Sequence, residues 1–134
     1  MLNGFNFLIC GSGPITNSHL KVLKHFDKVR LKKIFSKHTF KAKELALKFK
    51  LTLLENLNKE NIDDCNICLI TNSSESHFNL IKILSNQIKI FIVEKPMVED
   101  SNQLRELSNL IKNKHLKIFE VSQFLFSNQI SLNF

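Results

Sequence analysis

The sequence predicts a single α/β domain in which helices cover both faces of a doubly wound parallel sheet. Two observations predict this fold. Short apolar runs alternate along the chain with segments whose apolar residues recur at helical spacing. A helix between two strands implies a right-handed crossover, which leaves the strands parallel. The length of 134 residues is that of one domain. For the five predicted strands we expect the order 3-2-1-4-5.

Five strands and four helices account for most of the chain. The predicted strands span 5–10, 29–35, 67–70, 88–93 and 116–121. Pro14 suits the first turn of the first helix, Thr39 is expected to cap the second, and Asp100 with Gln103 resembles a capping box before the fourth. The residues expected to face the sheet are, helix by helix, Ile15, His19, Val22, Leu23 and Phe26; Ala42, Leu45, Ala46 and Phe49; His77, Leu80, Ile81 and Leu84; and Leu104, Leu107 and Ile111.

Positive charge is concentrated in one part of the chain. The formal net charge is +7, and residues 21–50 hold eleven of the 19 basic residues but two of the 12 acids. Seventeen of the basic residues are lysines and two are arginines, although arginine makes most bidentate contacts with bases and phosphates. A basic nucleic-acid-binding protein is therefore the weakest of the functions considered, and we expect no nucleic-acid partner.

Several classes of protein are excluded by what the sequence lacks. No apolar run approaches the roughly 18–20 residues of a membrane span, and the N-terminus does not read as a signal peptide, so we expect a cytoplasmic protein without a membrane partner. Three cysteines are too few for a disulfide scaffold. Cys65 and Cys68 are spaced so that strand geometry would point them to opposite faces, and no second pair completes a zinc site. We predict structural cysteines and no metal.

A glycine turn separates the first strand from the first helix. Gly11 would allow the tight turn, and Gly13 would let the backbone approach a pyrophosphate resting on the helix N-terminus. Thr16 stands at the sixth position of the motif, where a small residue is usual and where it would crowd the helix against the sheet. The other residues of the predicted cofactor turn are Ser12, Pro14 and Ile15. This context favours a dinucleotide-binding Rossmann fold over a glycine turn without a ligand.

The end of the second strand indicates which dinucleotide is preferred. An NAD site usually places an acid there for the ribose 2′-hydroxyl, but residues 28–43 contain no acid. Ser36 and Lys37 follow the strand instead, and a hydroxyl beside a cation suits the 2′-phosphate of NADP. We therefore favour NADP over NAD. The alternative is that these lysines only solvate a helix surface, and for Lys41 and Lys43 that alternative is the stronger one.

Glu94-Lys95-Pro96-Met97, after the fourth predicted strand, resembles a motif of the glucose–fructose oxidoreductase/inositol dehydrogenase (Gfo/Idh/MocA) family. Three other parts of the chain resemble this family in the same order. They are the glycine turn with His19, the segments 34–37 and 42–46, and the segment 70–77, which ends in His77. The resemblance extends along the whole chain but corresponds to the N-terminal, cofactor-binding part of a family member.

The resemblance implies roles for particular residues. In this family the lysine of the Glu-Lys-Pro motif lies by the nicotinamide and the substrate, where a cation stabilises developing oxyanion charge. That role falls to Lys95, the one candidate catalytic residue, and Glu94 and Pro96 would position it. The remaining residues that the resemblance assigns to the cofactor are Asn72, Ser74 and His77.

The chain departs from the family pattern at several positions. Ser73 stands where the family usually has proline, Ser74 where asparagine is common, and Leu125 where arginine is frequent. We expect the cofactor-binding domain to span 1–121 and the apolar segment 122–134 to begin the connection to a substrate domain that this chain lacks. An apolar tail without that domain predicts a homodimer or a partner chain.

Three functions follow from these patterns. The first is the NAD(P)(H)-binding domain of an oxidoreductase similar to sugar or polyol dehydrogenases, not catalytic by itself, because the family's acid/base histidine and aspartate belong to the substrate domain. The second is a non-catalytic nucleotide-binding module or a truncated-gene remnant that acts with a partner chain. The third is the nucleic-acid-binding protein weighed above.

Overall fold

The computed structural model describes residues 4–121, which form a six-stranded parallel sheet and four helices. The strands are β1 (Phe5–Cys10), β2 (Val29–Phe35), β3 (Thr52–Leu54), β4 (Ile67–Ile70), β5 (Ile90–Glu94) and β6 (Lys117–Val121). The helices are α1 (Pro14–Leu23), α2 (Thr39–Phe49), α3 (Ser74–Leu84) and α4 (Ser101–Lys114). No helix of these residues is long and apolar enough to cross a membrane. The predicted tail, 122–134, lies outside the described residues.

The doubly wound α/β fold is confirmed, but the predicted strand order is wrong. The sheet runs β3-β2-β1-β4-β5-β6, and every pairing is parallel. The segment 67–70, predicted as the third strand and placed outside the second, pairs with β1 instead. The position beside β2 belongs to β3, which was not predicted because three residues are too few to show strand alternation. The chain then crosses to β4 through residues 55–66 without a helix.

Alternation along the central strands divides the core into two layers. In β1, Phe7 and Ile9 pack with α1 and α2 on one face of the sheet, whereas Leu8 and Cys10 pack with α3 and α4 on the other. All four side chains are at most 2% exposed. Burial on both faces explains why β1 and β4 read as continuous apolar runs, as is typical of parallel sheets.

The predicted buried faces are correct for α2 and α3 and wrong in part for the other helices. In α1 the buried residues are Thr16, His19 and Leu20, while Ile15 and Val22 are exposed. The exposed and the buried residues lie on adjacent lines of the same helix, so helical spacing alone does not choose between them. Two further predicted core residues are exposed: Phe26, which follows the end of α1, and Leu104 in α4.

The predicted caps are confirmed for one helix and wrong for another. Asp100 accepts a hydrogen bond from the Gln103 backbone N–H at 2.8 Å, as predicted, although the Gln103 side chain accepts from the N–H of Glu99. Thr39 does not cap α2, because it is already the first helical residue and His38 occupies the cap position.

The crossover between β3 and β4 is held by an ion pair. Lys33 of β2 lies 2.9 Å from an Asp64 carboxylate oxygen and also donates to the carbonyl of Asn61. Burial raises the pKa of Asp64, but its hydrogen bond and attraction to Lys33 outweigh this, so its pKa lies below the usual value. These contacts hold the long connection between β3 and β4 against the carboxyl-terminal half of β2.

The cysteines are structural, although not for the geometric reason predicted. Cys65 precedes β4 and therefore escapes strand alternation, so it packs in the same core layer as Cys68 rather than on the opposite face. Burial raises the pKa of the Cys65 thiol to about 12 and that of Cys68 well above its ordinary value. Both thiols are free and remain protonated.

A buried hydroxyl pair joins α1 to the end of β4. Thr16 Oγ1 and Thr71 Oγ1 are 2.6 Å apart, and Thr16 is fully buried. Threonine at the sixth position of the glycine motif is therefore accommodated because a second threonine opposite it provides a hydrogen-bond partner. The expected crowding is replaced by a hydrogen bond.

We predict that Thr71→Val lowers the free energy of unfolding by about 1–3 kcal/mol, because it leaves the buried Thr16 hydroxyl without a partner. The double variant T16V/T71V should lose less than the sum of the two single variants. Urea unfolding measures both. Ser18→Ala, at an exposed hydroxyl of the same helix, is the control and should change stability by at most about 0.5 kcal/mol. Strict additivity would contradict the prediction.

Candidate functional site

A groove of about 920 Å³ lies at the carboxyl ends of the strands. It begins at the glycine turn, passes the end of β2 and continues along the loop after β4 to α3. This is the edge at which doubly wound sheets bind ligands, next to the point between β1 and β4 where the strand order reverses. The predicted site residues that line it are Gly11, Ser12, Gly13, Ser36, Lys37 and Asn72.

The fold requires glycine at position 11 of the turn but not at position 13. Gly11 has φ of +133°, and a Cβ there would lie 2.3 Å from Thr71 Oγ1 and 2.9 Å from the Asn72 backbone nitrogen. Only glycine fits this position. A Cβ on Gly13 would meet nothing within 4 Å, so the fold does not require glycine there. The space beside Gly13 is open to the groove at the start of α1.

The N-terminus of α1 is free to receive an anion. Gly13 is its cap residue, no side chain caps it, and its first turn contains no acid. The first N–H groups of a helix and its dipole then favour a negative group in front of them. Pro14 is the first helical residue, as predicted, while Ile15 is 40% exposed.

The end of β2 brings a hydroxyl and cations to the groove. Ser36 Oγ lies 2.7 Å from Ser12 Oγ and accepts from the backbone N–H of His38 at 3.1 Å. Lys37 is exposed and lines the groove. Lys41, which the sequence favoured as a surface lysine, lines it too and also borders a second cavity of about 720 Å³ between α1 and α2. Glu55, at the end of β3, is an acid of this groove that sequence reasoning missed.

The loop after β4 carries an unsatisfied acceptor. Asn72 Oδ1 is buried without a hydrogen-bond partner, although Asn72 lines the groove. Ser74, also predicted to bind the cofactor, donates a hydrogen bond to Glu99 at 3.2 Å. His77 is 1% exposed, and its two ring nitrogens lie against backbone carbonyls. His77 therefore does not line the groove, and it affects the groove through the two loops whose carbonyls it contacts.

The Glu-Lys-Pro segment is held on three sides. Glu94 lies 2.6 Å from Nε2 of His19, which sequence analysis had treated as a packing residue of α1. The carbonyl of Pro96 faces His77 at 2.9 Å. The N–H of Met97 donates to Glu120 of β6 at 3.0 Å. Lys95, joined to Pro96 by a cis peptide bond, is itself exposed.

The described residues form no group of three or more side chains that could hold a metal ion. Glu94 and Lys95 do not line the groove beside Ser36 and Lys37; they lie at the end of β5, on the far side of the loop after β4. The predicted site residues therefore fall into two groups, one around the glycine turn and one around Lys95. Asn72 and His77 connect them.

Comparison with known proteins assigns this arrangement to a family. Residues 5–122 match the Gfo/Idh/MocA family, described as an oxidoreductase family with an NAD-binding Rossmann fold. The chain belongs to this family. A comparison with curated proteins finds no match. This Gfo/Idh/MocA chain is an NAD(P)-binding domain of the oxidoreductase type.

Solved structures share the fold of this Gfo/Idh/MocA domain. GenD2 from gentamicin A biosynthesis, in complex with NAD, has a TM-score of 0.85 at 18% identity. KijD10, a 3-ketoreductase from Actinomadura kijaniata in complex with NADP and TDP-benzene, has a TM-score of 0.82 at 20% identity. The WlbA dehydrogenase from Chromobacterium violaceum, in complex with NADH and UDP-GlcNAcA, has a TM-score of 0.79 at 21% identity.

Each similarity covers most of this chain but a minor part of the other protein. The matches cover 96%, 95% and 89% of this chain, and 37%, 40% and 35% of GenD2, KijD10 and WlbA, respectively. The chain therefore spans well under half the length of these structural relatives.

The residues present fit a nicotinamide dinucleotide. The open space beside Gly13 and the uncapped start of α1 suit a pyrophosphate. The buried, unpartnered Oδ1 of Asn72 lacks the donor that a ribose hydroxyl or a carboxamide could supply. When bound, the cofactor supplies the hydride acceptor or donor.

We predict that Gly13→Val leaves the domain folded and removes dinucleotide binding, because its side chain enters the open space at the start of α1 rather than the core. Circular dichroism and calorimetric titration with NADPH measure the two effects. Gly11→Ala is the matched comparison. It should lower the free energy of unfolding by about 2–4 kcal/mol, because its Cβ overlaps Thr71 and its φ is unfavourable. Retained affinity in Gly13→Val would mean that the turn is only structural.

Proposed function

We propose that this domain binds NADP(H) in preference to NAD(H). The observation that carries the proposal is the composition of the groove where β2 ends. Ser36 presents a hydroxyl and Lys37 and Lys41 present cations, whereas residues 28–43 contain no acid. A 2′-phosphate accepts charge-assisted hydrogen bonds from such groups. The ribose 2′-hydroxyl of NAD would find no carboxylate in this segment.

Glu55 is the opposing charge in this part of the groove. It follows β3, one strand outward from Ser36, and lines the same groove as Lys37 and Lys41. Near the end of β2 the two lysines outnumber this carboxylate, whereas the second acid that lines the groove, Glu75, belongs to α3. The proposal therefore depends on the two lysines rather than on a groove without acids.

Within the whole protein, we propose that Lys95 polarises the oxygen of a sugar or polyol substrate during hydride transfer. Lys95 is exposed at the end of β5, and the segments on both sides of it are anchored by His19, His77 and Glu120. An ammonium group on a fixed backbone can stabilise negative charge that develops on a substrate oxygen. The cofactor-binding residues proposed with it are Gly11, Ser12, Gly13, Pro14, Ile15, Ser36, Lys37, Asn72, Ser74, His77 and Glu94.

We predict that NADPH binds at least about tenfold more tightly than NADH, because charged hydrogen bonds to the phosphate contribute about 1.5–3 kcal/mol. Lys37→Ala and Lys41→Ala should each weaken NADPH and leave NADH nearly unchanged. Calorimetric titration of both cofactors measures the ratio. Lys43→Ala, at an exposed lysine of α2 that does not line the groove, is the matched control. Equal affinities, or a preference for NADH, would refute NADP selectivity.

We also predict that the 134-residue chain alone binds the cofactor without turning over sugars, polyols or inositol. Lys95 supplies a cation, but proton transfer to or from the substrate needs an acid or base that this family carries in its substrate domain. Absorbance of NADPH at saturating substrate measures turnover. Substrate-dependent reduction of NADP above the buffer background would contradict the prediction.

A further inference from the structure

His77 lies between two loops and contacts a backbone carbonyl of each. It belongs to the first turns of α3 and is 1% exposed. Nε2 lies 2.7 Å from the carbonyl oxygen of Asn72, in the loop after β4. Nδ1 lies 2.9 Å from the carbonyl oxygen of Pro96, in the segment after β5. The same ring therefore bridges the groove loop and the Lys95 segment.

Each of the two contacts needs an N–H donor on the ring, and a neutral ring has only one. A carbonyl oxygen only accepts hydrogen bonds, and a neutral imidazole has one N–H donor and one bare nitrogen. A neutral His77 would therefore place a nitrogen lone pair against one of the two oxygens. The imidazolium has two donors and satisfies both. We infer that His77 is held as the imidazolium and is a positioning residue that fixes both loops for the cofactor.

Charges of both signs lie on the elements around His77. Its own helix carries Glu75 and Lys82, the end of β5 carries Glu94 and Lys95, Glu99 and Asp100 precede α4, α4 carries Arg105, Glu106, Lys112 and Lys114, and β6 carries Lys117 and Glu120. These are six carboxylates and six cations, so their net charge does not select the imidazolium, and the inference rests on the two carbonyl contacts. Among residues 4–121 no carboxylate forms an ion pair with the ring. The two carbonyls are its direct partners.

The number of protons on the ring therefore sets the number of loops that it holds. With two protons the ring donates to both carbonyls, and with one proton it donates to only one of them. The loop that loses this hydrogen bond has one contact fewer with α3. The expected effect on cofactor binding rests on the proposed function, whereas the protonation of the ring does not.

Nitrogen NMR of the cofactor-free wild-type chain tests the inference directly. Across about pH 5 to 8, we expect both ring nitrogens of His77 to carry protons at the acidic end. The carbonyl carbon signals of Asn72 and Pro96 should shift with the same midpoint as the ring. A His77 ring with one unprotonated nitrogen throughout this range, in a folded chain, would overturn the inference. Exposed His25 provides the reference titration.

Two variants then separate positioning from packing. His77→Asn offers a donor only near the Nδ1 position and His77→Gln only near the Nε2 position, and neither titrates. NADH is the probe because it lacks a 2′-phosphate that would itself titrate. Wild type should bind NADH about two- to tenfold more tightly at about pH 6 than at about pH 8. In both variants this ratio should fall to the value that the groups other than His77 contribute, while His25→Gln keeps the wild-type ratio.

The outcomes distinguish the two proposals. If NADH and NADPH both fail to bind but the His77 ring carries two protons, the proposed function fails and the bridge stands. If the cofactors bind and the variants keep the wild-type pH ratio, the positioning role of His77 is refuted while the cofactor site stands. Loss of folding in either variant leaves the wild-type NMR titration as the deciding measurement.

Discussion

The close approach between Gly11 and Thr71 is the constraint on which the rest of the site depends. The Gly11 N–H donates to the carbonyl of Phe35 at 3.0 Å, and the carbonyl of Cys10 accepts from the N–H of Thr71 at 2.8 Å. The turn is thus bonded to the strand ends on both sides of β1. Thr16 then bonds Thr71, which sets the start of α1 over the groove. A side chain at Gly11 would push the turn away from the end of β4 and, through Thr71, would also displace the start of α1.

The sequence predicted the parts of the fold that have a strong local signal. Two-sided burial made β1 and β4 visible as apolar runs, and the faces of α2 and α3 followed from their spacing. It did not reveal β3, because three residues are too few to show the alternation of a strand. Without β3, the segment 67–70 was counted as the third strand and was placed beside β2 instead of beside β1. The buried face of α1 was ambiguous because the residues that cover it include threonine and histidine rather than only apolar side chains.

The site was predictable where it lies in one short segment and not where it is assembled from several. The glycine turn and Ser36 with Lys37 each occupy consecutive positions, and the structure places them in one groove. The partners of the Lys95 segment are 75, 19 and 23 residues away along the chain, at His19, His77 and Glu120. No spacing rule connects residues at such separations. A histidine at a buried helix position looks the same in sequence whether it packs or bonds a glutamate.

The bond between Glu120 and Met97 has a consequence for the order in which the domain is made. Glu120 lies in the last described strand, so a nascent chain that has exposed β1 to β5 still lacks the acceptor for the Met97 N–H. The Lys95 segment reaches its final arrangement only when that strand has joined the sheet. The groove beside the glycine turn is lined by residues no later than Ile83, so it does not need β6. The two parts of the site are therefore completed at different stages of synthesis, the groove first and the Lys95 segment last.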